Sequence, residues 1–363
     1  MSTHLLPKYC DLTVSSGSRL HFGLYAFEPQ TVPKSDADPY RLSEASSHLR
    51  RYFGGLGLMV QQPSTEIRLT TARHFCVDGD STGRIATFAQ RWFDFIQLHN
   101  SSSDPLPTPQ HGLPSVNQLP VRIQVLQSPP QHNGLGAGTQ QALTVGHALT
   151  QFFLDQTLDP IALARSVGRG LRSAVGTYGF FRGGLIVDRG KLSPGTLGEL
   201  DGNFPVPEDW RILLITSRSG SLMSGQREVE AFKQLPAIPV QTTQRLIDLT
   251  KQRIVPAVLA KDFLAYCDAI YDYGITAGLC FESMQGGPFA TPRSQQIVDR
   301  IRQLGFQGVG QSSWGPTLFC FAKDSQQADW LQEKLTPILN ADDEFLSITS
   351  ARNCGVTSRS TPP

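Results

Sequence analysis

The chain has 363 residues, which exceeds the usual size of a single hydrophobic core and predicts two domains. Its 32 basic and 31 acidic residues leave a formal net charge of +1, so overall charge does not favour nucleic acid or an anionic membrane surface as a partner. Six scattered cysteines without a CxxC pair and the lack of a long apolar window indicate no zinc site, no disulfide framework and no membrane span, and we expect a cytoplasmic protein.

The first half of the sequence mixes strand and helix patterns. Alternating and apolar segments predict strands over residues 11–14, 19–26, 53–60, 67–71, 121–126 and 185–187. Apolar residues at steps of three and four predict helices over 84–98 and 161–174, and a further helix that carries Ala142, Val145, Leu149 and Phe152 on one face. We place the first domain at residues 1–195.

A stretch with several prolines and glycines, residues 196–209, predicts a linker to a second domain at residues 210–363. In this second part, strands are predicted over 210–216, 317–322 and 344–349, and helical patterns fill 226–272, 294–304 and 326–339. Strands mixed with helix pairs are typical of an α+β domain.

A glycine-rich loop lies between a predicted strand and a predicted helix. Glycines let an anion approach the backbone closely, and a helix N-terminus offers unpaired N–H groups and the positive end of a dipole. The pattern therefore predicts a phosphate site formed by Asn133, Gly134, Leu135, Gly136, Ala137, Gly138, Thr139 and Gln140. The alternative is a glycine-rich connector that binds nothing.

Five segments together resemble a known family: residues 19–24 (RLHFGL), 53–58 (FGGLGL), 133–140 (NGLGAGTQ), 176–184 (GTYGFFRGG) and 310–317 (GQSSWGPT). They are similar to those of β-ribofuranosylaminobenzene 5′-phosphate synthase, a family in the superfamily of galactokinase, homoserine kinase, mevalonate kinase and phosphomevalonate kinase. The resemblance implies a two-domain α+β fold of the GHMP kinase type. Its N-terminal domain would be like the second domain of ribosomal protein S5, and its C-terminal domain would be ferredoxin-like.

The resemblance also implies an activity, in which 5-phosphoribosyl 1-diphosphate is joined to 4-aminobenzoate or 4-hydroxybenzoate. The products would be a C-riboside 5′-phosphate, carbon dioxide and pyrophosphate, on the route to tetrahydromethanopterin-type cofactors. Mg²⁺ and small-molecule substrates are expected, a homodimer is a further expectation, and neither nucleic acid nor membrane is expected as a partner.

Two departures from the superfamily pattern weigh against a kinase. Ala137, Gly138 and Thr139 stand where serines are usual, and the segment 176–184 has no aspartate in the place of a catalytic base. An ATP-dependent small-molecule kinase and a catalytically silent phosphate-binding protein remain the alternatives. They would be recognised by ADP formation and by binding without turnover, respectively.

Several side chains are candidates by their position in these segments. Arg19 and Arg182 would hold the carboxylate of the aromatic acid, because guanidinium groups bind carboxylates in a two-pronged geometry. His21 would bond a phosphate or the 4-substituent, and Asp188 would serve as a base. Each of these has a structural alternative: an ion pair, a hydrogen-bonded histidine between strand residues, or an aspartate that caps a turn.

Further candidates would surround the substrate. Phe22, Phe180 and Trp314 would wall the aromatic ring, with core packing as the alternative, and Gln311, Ser312 and Ser313 would contact substrate or form a tight turn. The three residues Arg165, Arg169 and Arg172 form a cationic stripe on the predicted helix 161–174, which faces either phosphate or solvent. No metal ligand is identified, and Glu28 and Asp188 are not distinguished as carboxylates for Mg²⁺.

Overall fold

We analysed a computed structural model, which describes residues 7–26, 51–99, 116–218, 230 and 234–361. The strands of the described part are β1 (Asp11–Leu24), β2 (Gly55–Thr71), β3 (Cys76–Asp78), β4 (Val121–Gln127), β5 (Leu185–Gly190), β6 (Glu199–Phe204), β7 (Arg211–Ser217), β8 (Val309–Gln311), β9 (Leu318–Ala322), β10 (Glu344–Ser350) and β11 (Thr357–Thr361).

The helices are α1 (Arg84–His99), α2 (Ala137–Leu154), α3 (Pro160–Ser166), α4 (Val175–Arg182), α5 (Val240–Asp248), α6 (Val255–Leu259), α7 (Phe263–Leu279), α8 (Glu282–Gln285), α9 (Pro292–Gln303) and α10 (Ser325–Leu335). A π-helical stretch over Leu249–Ile254 joins α5 to α6, and short 3-10 turns lie at Val116–Gln118 and Thr336–Ile338. None of the helices in these described ranges is long and apolar enough to cross a bilayer.

The first half of the chain folds around a seven-stranded sheet. Its main path runs β11-β1-β2-β4-β3, while β5 pairs with β2 and β6 pairs with β5. Helix α2 is buried along most of its length, because it lies between this sheet and α1 with large apolar side chains such as Trp92 and Phe152 packed around it. The N-terminus of α2 is thereby held in a fixed place relative to β1.

The second half forms a four-stranded antiparallel sheet in the order β10-β7-β9-β8, with its own apolar cluster beneath α9 and α10. A further cluster joins the two halves, since Leu20 and Leu58 of the first sheet pack with Leu214 and Ile270 of the second half. Helix α7 crosses the end of β1 at Gly23, where a Cβ would lie only 2.3 Å from that of Ala277. The absence of a side chain at Gly23 allows this close approach.

The structure has the two α+β halves that the sequence predicts, each with its own sheet and apolar cluster. Two of its strands are longer than predicted. Strand β1 contains both segments predicted at 11–14 and 19–26, and β2 contains most of those predicted at 53–60 and 67–71. Between its two segments, β1 passes Ser16–Ser18 through a bulge instead of a turn. The predicted linker 196–209 contains β6, and β11 returns to the first sheet, so the first sheet extends beyond residue 195. The domain boundaries themselves stay a prediction.

The helix predicted over 161–174 is wrong beyond Ser166. Gly168 and Gly170 adopt φ of 66° and 77°, which lies in the left-handed region and is incompatible with a continuing right-handed helix. Residues 167–174 therefore form a loop, and the arginines predicted to form a stripe along a helix are separated: Arg165 lies on α3, while Arg169 and Arg172 lie on the loop. This loop has a place in the site described next.

Candidate active site

A cleft of about 780 Å³ opens where the two halves of the fold meet. Its walls come from the C-terminal part of β1, the glycine-rich loop before α2, the loop 168–173, helix α7 with the residues that follow it, and the loop between β8 and β9. Four arginines and two histidines line it, and none of its described lining residues is an aspartate or glutamate. The cleft is therefore suited to anions.

The glycine-rich loop forms the floor of the cleft with open backbone donors. Gly134 and Gly136 have φ of 76° and 70°, and Gly136 is the N-cap of α2. Within the described ranges, the amides of residues 134–138 donate to no other group, whereas the amide of Thr139 donates to the carbonyl of Gly136 at 2.9 Å. The expectation of a donor row up to Thr139 is therefore corrected, and the open row ends at Gly138.

The carbonyl groups of the same loop anchor it to β1. The carbonyl of Leu135 accepts from the amide of Arg19 at 2.9 Å, and that of Gly134 accepts from the hydroxyl of Ser312 at 2.7 Å. The hydroxyl oxygen of Ser312 in turn accepts from the amide of His21 at 3.0 Å. The loop is thus held rigidly with its N–H groups directed away from these anchors, which is the arrangement that preorganised anion sites use.

Four guanidinium groups, from Arg19, Arg84, Arg169 and Arg172, line the cleft beside this loop. A Cβ on Gly136 would lie 2.9 Å from Nε of Arg19, and one on Gly138 would lie 2.4 Å from an Nη atom of Arg84. The arginines therefore press against the loop at positions where only glycine leaves them room.

Arg169 shows most clearly how closely these cations are crowded. Its Nε is buried and has no hydrogen-bond partner, and its guanidinium lies 5.0 Å from the ring centre of Phe88. Burial, together with the charges of Arg84, Arg91 and Arg172, lowers the pKa of Arg169 to about 10. Cations crowded in this way repel each other, and a bound anion would relieve that repulsion.

His21 is connected to Asp188 through a serine. Nε2 of His21 lies 3.1 Å from the hydroxyl oxygen of Ser173, and that hydroxyl donates to Oδ2 of Asp188 at 3.0 Å. Asp188 is fully buried and also accepts from the amides of Ala174 and Gly190 at 2.6 and 2.9 Å. Burial raises the pKa of Asp188 to about 6, opposed by these hydrogen bonds, and burial with the charges of Arg19 and Arg172 lowers the pKa of His21 well below its ordinary value.

The far part of the cleft is apolar and aromatic. Trp314 packs edge-to-face on Phe281 with ring centres 4.4 Å apart, and Phe53 adds a third ring to the lining. Helix α7 turns only small residues, Gly274, Ala277 and Gly278, toward this space. A flat aromatic ligand fits such a slot, because large side chains are present on one side and are missing on the other.

The structure brings most of the predicted site residues into this one cleft: Arg19, His21, Phe22, Asn133, Gly134, Leu135, Gly136, Ala137, Gly138, Thr139, Gln311, Ser313 and Trp314. Several of these side chains pack against, or form hydrogen bonds with, other groups of the protein. Phe22 packs against Phe319 with tilted rings whose centres lie 5.0 Å apart, and the side-chain amide of Asn133 donates to the carbonyl of Ser217. The amide group of Gln311 bonds the backbone of Ala290 and Ser313. Their functional roles stay predictions.

Five predicted residues do not line the cleft, and these predictions are corrected. Arg182 is exposed at the end of α4, and Phe180 is buried in the first core against His147. Gln140 is buried and donates to the carbonyl of Gly176, which ties α2 to α4. Ser312 anchors the glycine-rich loop instead of facing ligand, and Asp188 is too deeply buried to touch substrate directly.

The sequence analysis missed Ser173 and Arg84, and it left the role of Arg169 and Arg172 open. Gly168 and Gly170 carried a usable signal, because two glycines separated by a single residue predict the end of a helix, which places Arg169 and Arg172 on a loop. Arg84 carried no such signal, since it is the first residue of α1 and comes to the cleft only through tertiary packing.

The cleft does not provide the ligands that a resident magnesium ion needs. Mg²⁺ prefers carboxylate and water oxygens, and the described lining residues contain no carboxylate. In the described ranges, moreover, no group of three or more histidine, cysteine, aspartate or glutamate side chains is placed to hold a metal ion. Asp188 already accepts three hydrogen bonds, and the other carboxylate considered, Glu28, lies outside the described residues.

Comparison with known proteins confirms the predicted two-domain α+β fold of the GHMP kinase type. The family described as GHMP kinases C terminal matches residues 256–338. A solved homoserine kinase from Cytophaga hutchinsonii superposes with a TM-score of 0.60 at 13% identity, over 96% of this chain and 98% of that one, which is a likeness of fold.

Curated relatives carry one consistent name. The β-ribofuranosylphenol 5′-phosphate synthase of Methanothermobacter thermautotrophicus is 28% identical over 52% of this chain, and the match spans 60% of that relative, less than two thirds of its length. The protein of the same name from Methanocaldococcus jannaschii is 22% identical over 95% of this chain and 99% of its own. These names have a phenol where the resemblance gave an aminobenzene, a difference in one ring substituent. The predicted resemblance is therefore confirmed: the chain is similar to enzymes named β-ribofuranosylphenol 5′-phosphate synthase, and its C-terminal part matches a GHMP kinase family.

Proposed function

We propose that this enzyme is a decarboxylating phosphoribosyl transferase, which joins 5-phosphoribosyl 1-diphosphate to a 4-hydroxy- or 4-aminobenzoate. The products are a C-riboside 5′-phosphate, carbon dioxide and pyrophosphate. One observation carries the proposal: a single cleft combines two binding regions. Its floor has open backbone amides and four arginines that suit an anion, and its far part is an aromatic slot. A donor with several phosphate charges and a small aromatic acid are the two ligands that such a cleft would bind together.

The chemistry asks mainly for charge stabilisation and orientation. When the bond from ribose C1 to the diphosphate breaks, negative charge grows on the leaving group, and the amides of residues 134–138 with Arg84 and Arg169 would stabilise it. The ring carbon that bears the carboxylate must face C1, so the slot formed by Trp314 and Phe281 would fix the ring plane.

An ATP-dependent kinase fits the cleft less well. Kinases of this kind stabilise phosphoryl transfer with a magnesium ion held partly by protein carboxylates, and many use an aspartate to orient the nucleophile. The described lining residues include no carboxylate, and Asp188 reaches the cleft only through Ser173. This arrangement supports transfer of a ribosyl group to carbon over transfer of a phosphoryl group.

The Mg²⁺ that the resemblance implies enters the proposal as an ion carried by the diphosphate of the donor. The phosphate oxygens and water would supply its ligands, since the cleft residues are mostly hydrogen-bond donors. Titration calorimetry checks this part: Mg²⁺ added to the protein alone should give no saturable heat, and pyrophosphate added with Mg²⁺ should. Saturable binding of Mg²⁺ by the protein alone would overturn it.

One assay tests the reaction. The protein is incubated with carboxyl-labelled 4-hydroxybenzoate or 4-aminobenzoate, 5-phosphoribosyl 1-diphosphate and Mg²⁺, and labelled carbon dioxide and pyrophosphate are counted. Both should appear in equal amounts, and neither should appear when one substrate is left out. If no benzoate gives labelled gas while ATP is converted to ADP in the presence of a small alcohol, the kinase alternative takes the place of this proposal.

A role in tetrahydromethanopterin-type cofactor biosynthesis, a cytoplasmic location and a homodimeric state belong to the same proposal. The apolar slot and the cationic floor together support small-molecule substrates and no macromolecular partner at this cleft.

A further inference from the structure

The donor and acceptor roles along the chain from Asp188 to His21 are fixed by the backbone. Oδ2 of Asp188 accepts from the amide of Ala174, and Oδ1 accepts from the amide of Gly190. Backbone N–H groups can only donate, so Asp188 is held as an acceptor, and the Ser173 hydroxyl uses its single proton to reach it. The Ser173 oxygen must then accept from its other partners.

Those partners are Nε2 of His21 at 3.1 Å and the amide of Val175 at 3.2 Å. Nε2 of His21 must therefore carry a proton. Because the imidazole is neutral, with its pKa lowered by burial and by two neighbouring arginines, its second nitrogen carries none. No hydrogen bond of Nδ1 is present within the described part of the chain, and His21 lines the cleft, so the Nδ1 lone pair is available to a ligand.

We propose that Nδ1 of His21 accepts the proton of the 4-hydroxyl or 4-amino group of the aromatic substrate, and that Ser173 and Asp188 are positioning residues that hold the histidine in its Nε2–H form. The inference rests on the proposed function for the identity of the substrate. Its structural basis, the hydrogen-bond chain from a fully buried carboxylate to the cleft, is independent of that identity.

The proton and electron count closes without a further reagent. As the ring carbon attacks ribose C1, the C–C bond forms, pyrophosphate leaves with the electron pair of the C–O bond, and the 4-hydroxyl loses its proton to Nδ1. The ring is then a neutral dienone that still bears the carboxylate. When carbon dioxide leaves, the electron pair of its C–C bond returns to the ring, and the 4-oxygen takes the proton back from Nδ1.

The surroundings suit a proton that is held only briefly. Arg19 and Arg172 disfavour a charged imidazole in the empty cleft, so His21 stays available as an acceptor. Bound phosphates would offset these two charges and would make the imidazolium less unfavourable during the reaction. A buried histidine without this chain is present for comparison: His147 lies in the core against Phe180, and its Nδ1 has no partner.

The tautomer is measured first, in protein labelled with ¹⁵N-histidine, from the long-range proton–nitrogen correlations of each imidazole. The wild type should show His21 purely as the Nε2–H form, and Ser173→Ala should give a mixture of both forms while the His147 signals stay in place. Ser173→Thr, which keeps the hydroxyl, should restore the single form. A His21 signal with Nδ1–H in the wild type would overturn the proposal whatever the activity.

Turnover is measured next with 4-hydroxybenzoate. Ser173→Ala and Asp188→Asn should lower kcat on the order of 10- to 100-fold with KM for the phosphoribosyl donor within about twofold, and His21→Gln should lower kcat on the order of 100-fold or more. Ser166→Ala, which removes another buried serine hydroxyl that does not line the cleft, should leave kcat unchanged. Because Asp188→Asn also disturbs buried backbone bonds, Ser173→Ala is the deciding variant if the former does not fold.

A substrate that needs no base separates this role from a purely structural one. 3,5-difluoro-4-hydroxybenzoate, assayed above the pKa of its phenol, binds already ionised. For it, the ratio of variant to wild-type kcat should return to within about threefold of unity for His21→Gln and Ser173→Ala. An equal loss with the ionised and the neutral phenol would refute the base role. Absence of turnover by the wild type with every benzoate would instead refute the proposed function, and the tautomer would be unaffected.

Discussion

Gly138→Ala should separate the stability of this protein from its ability to bind phosphate. Gly138 lies in the first turn of α2 with ordinary helical backbone, so alanine is sterically acceptable to the helix itself. Its new methyl group would lie 2.4 Å from an Nη atom of Arg84 and 3.5 Å from one of Arg169. The methyl group therefore occupies the space between the open amides and the arginines, where the anion is proposed to lie.

The expected changes in stability and in phosphate affinity follow from what the methyl group meets, which is the helix on one side and the Arg84 side chain on the other. The conflict with Arg84 involves the end of a flexible side chain, which can move into the cleft at little cost, and alanine is favoured over glycine within a helix by up to ~1 kcal/mol. The free energy of unfolding should therefore hold or rise slightly. A charge-assisted hydrogen bond contributes about 1.5–3 kcal/mol, so displacing Arg84 alone should weaken binding on the order of 10- to 100-fold.

Gly146→Ala is the matched control, because it makes the same change two turns further along the same helix. There the new Cβ would lie 2.8 Å from a methyl carbon of Val167 and 3.0 Å from one of Leu163, in the core and away from the cleft. Overpacking of this kind costs about 1–3 kcal/mol, partly offset by the gain in helix propensity. This variant should lose stability and keep its affinity for phosphate.

Urea denaturation gives the stabilities, and titration calorimetry with pyrophosphate gives the affinities. The two variants should show opposite patterns. Gly138→Ala should lose affinity for pyrophosphate and keep its stability, whereas Gly146→Ala should lose stability and keep its affinity. If Gly138→Ala bound pyrophosphate as tightly as the wild type, the space before residues 134–138 would not be the phosphate site.

Three further predictions concern other parts of the cleft and the core. Arg169→Met should weaken pyrophosphate binding at least tenfold in calorimetry without lowering the urea midpoint, because it removes a cation whose buried Nε has no partner. The control Arg165→Met, at an exposed position, should change neither quantity, and a clear loss of stability in Arg169→Met would contradict the prediction. Gly274→Leu should raise KM for the aromatic acid and leave pyrophosphate affinity unchanged, since the new side chain enters the open slot beside α7, and unchanged KM would place the ring elsewhere. Burial lowers the pKa of His147 to about 4 from its ordinary 6.5, so between these pH values the unfolded chain takes up the proton and the folded chain does not. The free energy of unfolding should therefore fall as pH decreases, by roughly 3 kcal/mol at pH 4. Urea titrations at several pH values should show less of this loss in His147→Gln, and the same dependence of stability on pH in both proteins would refute it.

The parts of the site that could be predicted are those whose signal is local in sequence. The glycine-rich loop was recognisable because a strand, a run of glycines and a helix with apolar residues at steps of three and four follow each other within residues 121–154, and this order alone places open amides at a helix N-terminus. The strand segments within β1 and β2 and the helices α1, α2, α9 and α10 were recognisable for the same reason, although each long strand was predicted as two shorter ones. Their periodicity is complete within each segment.

The parts that could not be predicted depend on contacts between distant segments. Ser173 and Asp188 are separated by an entire helix, and His21 lies more than 150 residues before them, so no spacing indicated that the three side chains share a hydrogen-bond chain. Arg182 was favoured by its place in a glycine-rich motif, yet the turn of α4 directs it to solvent, because the other face of that helix packs on the first sheet.

The loop 167–174 shows how one misread element changes the interpretation of a site. When residues 161–174 are interpreted as one helix, Arg165, Arg169 and Arg172 lie on a single solvated face, and the ordinary explanation of that pattern is solubility. Once Gly168 and Gly170 end the helix, the same segment delivers two arginines to the phosphate floor and a serine to His21, within five residues. The cationic floor and the proposed proton acceptor are therefore built by one short loop. A change in its backbone, such as Gly170→Ala at φ of 77°, should lower both pyrophosphate affinity and the purity of the His21 tautomer, and loss of only one of them would show that the two are positioned separately.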